Sequence, residues 1–138
     1  MQEEQPTYFE DLDVGIICPH EDAFAPDGET VFYRYIPKGD VSSECFLPTV
    51  PREDRPLPRG FDDCIAKSVS IFNDLEGMLN ALFRLPHNKG KKKKVCVLQL
   101  KPKDGVLKQT FDNPNHHSWW RSQQFDYTIV QTQEIVIE

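Results

Sequence analysis

With 138 residues and 38% hydrophobic content, the chain has the makings of one globular domain with a core that needs no staples. Charged residues make up 28%, and no apolar run approaches the length of a membrane span, which excludes a helical membrane protein. The net charge of −6 conceals an asymmetry: residues 1–30 hold nine acids and no Lys or Arg, whereas residues 89–108 hold eight lysines and one acid, Asp104.

Residues 1–30 read as an acidic, mostly irregular segment, with a short apolar piece from Val14 to Cys18 and turn chemistry at Cys18-Pro19 and Pro26-Asp27-Gly28. The opening MQEEQPTYFEDLD is acidic where a secretion signal is basic and then apolar, so a cytoplasmic protein is expected. In that compartment Cys18, Cys45, Cys64 and Cys96 are expected to be reduced, half-buried thiols. Val31 to Ile36 is the first clear strand, β-branched and aromatic between turn residues. Alternation sets Arg34 on one face with Phe32 and Ile36. A guanidinium there must reach a carboxylate, a carbonyl or an anionic ligand, because an unpaired buried charge is costly. Residues 45–60 carry four prolines and read as an extended loop, either a binding segment or lid or a crossover packed by Phe46 and Leu47.

The stretch Phe61 to Leu85 holds the long apolar-periodic run. Ile71, Leu75, Met78, Leu79 and Leu82 recur at helical spacing, and Pro86 ends the helix. The expected order is a strand from Ile65 to Ser70, Ser70 as N-cap, then the helix, although a helix starting near Asp62 also fits the periodicity. A basic turn, PHNKGKKKK, follows. Val95 to Leu100 reads as a buried strand, and Asp104-Gly105 as a tight turn into Val106 to Phe111, making residues 95–111 a hairpin. Residues 113–124 read as a loop rich in His, Trp and Arg. Phe125 to Val130 and Glu134 to Glu138 close the chain as two short strands, or as one strand bent at Gln131 to Gln133. The expected fold is a single α+β domain over residues 1–138, with a mixed or mostly antiparallel sheet of five or six strands on one principal helix.

Several constellations bear on function. Cys18, His20, His116 and His117 lack the CxxC or HxxxH spacing of a zinc site, so no metal is expected. His116 or His117 has the chemistry of a general base, and the surrounding Trp119, Trp120 and Arg121 suit stacking on a ring, or else cap the core. Lys89, Lys91, Lys92, Lys93 and Lys94 offer point charges to nucleic-acid phosphates, or form a solvated turn.

Arg34 on an early strand, the Ser68-Val69-Ser70 triplet before the main helix and Glu134 on a late strand complete a dispersed set. With these three motifs in this order the chain resembles the arginine–serine–glutamate class of the ADP-ribosyltransferase superfamily. The resemblance implies an NAD-using transferase, such as a small toxin or defence effector. Arg34 would hold the pyrophosphate, Ser68 and Ser70 would brace the pocket, Tyr33, Tyr35 or Trp119 would stack on the nicotinamide, and Glu134 would be the catalytic carboxylate. The family often has Glu or Gln two positions before that carboxylate, where this chain has Thr132. The competing expectation is a non-enzymatic module that binds a protein through the Trp119-Trp120 loop or the proline-rich segment, or nucleic acid through the lysine turn.

Overall fold

Val31–Ile36 forms a strand, β1, over the predicted residues, and it lies inside a six-stranded antiparallel sheet. The structure is a computed structural model that describes residues 7–12, 15–36, 41–48, 62–110 and 113–137. The other strands are β2 (Val69–Phe72), β3 (Lys92–Gln99), β4 (Gly105–Gln109), β5 (His116–Arg121) and β6 (Gln131–Val136). Their order across the sheet is β4-β5-β2-β1-β3-β6. With α1 (Leu75–Phe83) this is the expected α+β fold in one small domain.

The helix begins four residues after the expected strand-to-helix turn. Val69, Ile71 and Phe72 are β-branched or aromatic, and all three are buried as β2 pairs with β5. Asp74, not Ser70, is the N-cap, its carboxylate accepting the Gly77 N–H at 2.9 Å. Ile65–Lys67, expected as strand, makes one turn of 3-10 helix that begins with Asp62 accepting the Ile65 N–H at 2.7 Å. Met78 and Phe83 anchor α1, and burying each contributes about 2–3 kcal/mol. Leu82 points to solvent.

The expected 95–111 hairpin does not form. Pro102–Asp104 makes a turn of 3-10 helix at the exit from β3, and β3 pairs with β1 and β6 while β4, among the strands, pairs with β5. Gly105, at φ +125°, makes this exit possible, since a Cβ there would run into the Trp120 carbonyl oxygen. The stretch expected as a His/Trp/Arg loop is instead β5, buried at every position. Phe125 to Val130 contains a 3-10 turn, Tyr127–Ile129, rather than a strand.

Both faces of the sheet are covered. On one, Phe32, Ile71, Leu98, Leu107 and Trp119 pack with Phe46, Phe125 and Val130. On the other, α1 covers Phe72 and Val95 at one end. At the other end, the N-terminal segment covers Trp120 with Tyr8, Leu12 and Cys18. Cys18 and Cys64 are joined as a disulfide, contrary to the expectation of four reduced thiols, while Cys45 and Cys96 remain thiols. The 46-residue separation hides the proximity, because Cys64 reaches Cys18 through the shared contact with Trp120.

Candidate functional site

The guanidinium of Arg34 projects from β1 toward the segment that follows it and is held by main-chain oxygens. Nε donates to the Cys45 carbonyl at 2.7 Å, Nη1 to the Ser70 carbonyl at 2.7 Å and Nη2 to the Leu47 carbonyl at 3.3 Å. Of the three partner types the sequence allows, carbonyls are the ones found. Burial pulls the Arg34 pKa below its usual value, yet an arginine stays charged. Beside it the Cys96 thiol donates to the Arg34 carbonyl at 3.3 Å, and burial pushes that thiol up to about 12, which makes it chemically quiet.

The remaining residues of the dispersed set are spread over the sheet. Arg34 pairs with Cys96, and Cys96 with Thr132, so Glu134 shares the Arg34 face two strands away. Two strand spacings and a two-residue offset put their Cα atoms about 12 Å apart. Ser70 alternates with the core residue Ile71 and so lies on the opposite face, giving Arg34 its carbonyl and not its hydroxyl. Ser68 donates its hydroxyl to the Ile65 carbonyl at 2.7 Å, closing the local turn. Tyr33 packs under α1 on the face away from Arg34. Trp119 is fully buried, set edge-on to Phe46 and Phe125, with Nε1 donating to the Asp104 carbonyl at 3.0 Å. Trp120 is likewise buried and donates to the Cys64 carbonyl at 2.9 Å. Residues 49–61 of the proline-rich segment lie outside the described residues.

The histidines of β5 are also interior. His116 bonds the Thr110 hydroxyl at 2.8 Å through Nδ1 and packs edge-on against Phe72. Burial, with the neighbouring His117, lowers its pKa to about 4, and burial lowers that of His117 too. A pocket of about 320 Å³ lies where β3, the Pro102–Asp104 turn and the start of β6 meet, lined by Leu100, Asp104, Phe125 and Ile129. Neither Arg34 nor Glu134 lines it.

What remains exposed is the end of the sheet. Five of the six residues of β6 are exposed, and β6 pairs with β3 alone among the described residues. At the opposite end, the outer edge of β4 is capped by a bridge between Phe24 and Leu107. The lysine turn abuts the last residues of β6: Gly90 N–H donates to the Ile137 carbonyl at 2.6 Å, and Ile137 N–H to the Lys91 carbonyl at 2.9 Å. Lys89, Lys91 and Lys92 are exposed there, while Lys93 lies over the rings of Tyr35 and Phe83 at 5.8 and 5.0 Å. Because Ile137 N–H points to β3, alternation directs those of Thr132, Glu134 and Val136 outward. Of the two sequence expectations, separate strands or one strand bent at Gln131 to Gln133, neither matches β6, which runs unbroken from Gln131 to Val136.

No family model, curated protein or solved structure matches this chain.

Proposed function

We propose that this protein is a non-catalytic interaction module that adds an extended segment of a partner protein, antiparallel, to the edge of β6 that no described residue pairs. The open edge beside the lysine turn carries this reading. Outward backbone donors and acceptors match another main chain, and an unprotected edge is otherwise an aggregation hazard that proteins blunt. The basic turn sits beyond Val136, so the favoured segment has its acids in the N-terminal half, where it passes Lys89, Lys91 and Lys92. A peptide suits the site better than nucleic acid, because the outward N–H and C=O groups of Thr132, Glu134 and Val136 match another main chain. We place the module in the cytoplasm, a compartment that suits the thiols of Cys45 and Cys96 and in which the Cys18–Cys64 bond would be reduced.

A second proposal is the NAD-using transferase, favoured by Arg34 and Glu134 sharing a face. It requires Arg34 to exchange three carbonyls for a pyrophosphate and Glu134 to act from an exposed edge.

The test uses a capped peptide, Glu-Glu-Glu-Val-Thr-Val-Thr, titrated into isotope-labelled protein. Amide shifts should concentrate at Thr132, Glu134 and Val136. Glu134→Pro removes one outward donor without touching the β3 ladder and should weaken binding at least tenfold, while Glu134→Gln binds as wild type. Equal binding by the proline variant sinks the edge proposal. Shifts confined to Lys89, Lys91 and Lys92 on adding single-stranded RNA would favour nucleic acid instead. Nicotinamide release from NAD that Glu134→Gln abolishes would favour the transferase.

A further inference from the structure

Four side chains at the N-terminal fastening carry a chemistry that the edge does not use. Cys18 and His20 are two residues apart on one segment, and Asp62 and Cys64 are two apart on another. The His20 ring, the Asp62 carboxylate and the Cys64 sulfur each present a ligand atom, all within 4.8 Å of one another. Cys18 is bonded to Cys64, with the sulfurs 2.10 Å apart, so all four converge on one point.

We propose that Cys18, His20, Asp62 and Cys64 form a zinc site that becomes available when the Cys18–Cys64 disulfide is reduced. Two sulfurs, one imidazole and one carboxylate are a donor set that tetrahedral zinc takes. The adjustments are small. Tetrahedral zinc holds two thiolate sulfurs about 3.8 Å apart, a spacing the two side chains can take up once the bond is broken. His20 Nε2 and Asp62 Oδ2, now 2.7 Å apart, need to open to about 3.3 Å. Asp62 is held ready for this, since its Oδ1 accepts the Ile65 N–H at 2.7 Å and leaves Oδ2 to face the ring. Trp120 backs the His20 ring at 5.5 Å between centroids, and its indole N–H holds the Cys64 carbonyl. The Asp62 side chain is 40% exposed, which gives an ion a way in.

The proton inventory closes. Lys108 Nζ lies 3.1 Å from His20 Nδ1, and an ammonium only donates, so in the disulfide form the ring proton sits on Nε2 and faces Asp62. A cellular dithiol gives two electrons and two protons to the disulfide and becomes a disulfide itself. Zinc then displaces both thiol protons, and the ring proton moves to Nδ1. Lys108 releases the ring and keeps its second partner, Asp22 Oδ1, at 2.9 Å. Two thiolates and a carboxylate around Zn²⁺ leave one net negative charge, which the nearby Lys108 offsets. Disulfide and zinc are then alternative fastenings of the same two segments, one for each redox state. Which one prevails in the cell follows from the cytoplasmic placement proposed above; the site itself does not depend on it.

The experiment compares oxidised wild type with wild type reduced by a zinc-inert phosphine. Only the reduced form should bind one zinc per chain and gain thermal stability from it. Cobalt as a probe should give the visible bands of a tetrahedral site, a thiolate-to-cobalt band in the near ultraviolet and quenching of Trp120 fluorescence. His20→Ala should weaken binding at least tenfold, and Cys64→Ser should lose part of the thiolate band. If the reduced protein binds no zinc, or binds it without thiolate bands, the site does not exist. Equal affinity in the His20→Ala variant also overturns it. The oxidised-against-reduced comparison needs no variant to fold.

Discussion

Replacing Arg34 by Met separates its structural bonds from any ligand-binding role. Methionine keeps much of the length and apolar contact of the stem but removes every donor. Two carbonyls, of Cys45 and Ser70, lose charge-assisted bonds of 2.7 Å in a partly buried setting, and the longer bond to Leu47 lies at the exposed rim. Hydrogen bonds to charged groups contribute about 1.5–3 kcal/mol each, so the two short bonds set a loss of about 3–6 kcal/mol. Against a total stability of about 5–15 kcal/mol, that is a large fraction. With a urea slope of about 2 kcal/mol/M, the unfolding midpoint should fall by about 2 M at unchanged slope. Arg34→Lys should recover part of the loss, since one ammonium cannot span both carbonyls in the fork geometry. Amide exchange at Cys45 and Leu47 should quicken in both variants, because Arg34 ties residues 45–47 to the sheet. A midpoint within experimental error of wild type for Arg34→Met would refute this reasoning. The guanidinium would then be kept for a ligand, as the transferase requires.

His116 should remain neutral in the fold down to about pH 5, visible as a flat ring-proton shift in an NMR titration. Burial depresses its folded pKa from 6.5 to about 4, so its contribution to stability is full above pH 6.5 and is lost as pH falls toward 4. That loss amounts to about 3 kcal/mol and should vanish from the acid limb of the stability curve in His116→Gln. Gly105→Ala should destabilise by about 3 kcal/mol or more and shift the amides of Trp120 and Ser122, since the new methyl meets the Trp120 carbonyl. If Gly105→Ala leaves the unfolding midpoint in place, the close approach of β4 to β5 is not tight.

The fold class was legible because its signals are local. β1 follows from six consecutive β-branched, aromatic or apolar-flanked positions, and α1 from a period that persists as far as Phe83. The helix start was not legible, because Ile71 and Phe72 satisfy both a helical stripe and a buried strand, and β2 wins only through its pairing with β5. The β5 segment was opaque for a similar reason. His, Ser, Trp and Arg look like loop or site chemistry until pairing with β2 and β4 buries them all. Arg34 shows the limit of motif reasoning. The demand for a partner was readable from its neighbours, whereas the choice of carbonyls depends on where residues 45–47 return to the sheet. The missed Cys18–Cys64 contact is non-local in the same sense, since 46 residues separate the two cysteines.

The two ends of the sheet are treated differently, and the charge asymmetry follows that division. The acidic N-terminal segment lies along the β4–β5 end, where Phe24 bridges Leu107 and Tyr8 bridges Ser122. The lysine turn lies at the β6 end, beside an edge that no described residue pairs. Holding the N-terminal segment down therefore does more than cover Trp120, because among the described residues it closes the β4 edge and leaves the β6 edge unpaired. The fastening at Cys18 and Cys64 is placed for this, a few residues before Phe24 on one side and just before the turn into β2 on the other. A chain with that fastening undone, reduced and stripped of metal, would offer two edges instead of one. Two open edges permit end-to-end stacking of sheets, whereas one permits at most a pair. On this logic the fastening would support the proposed binding at the β6 edge by keeping the β4 edge paired.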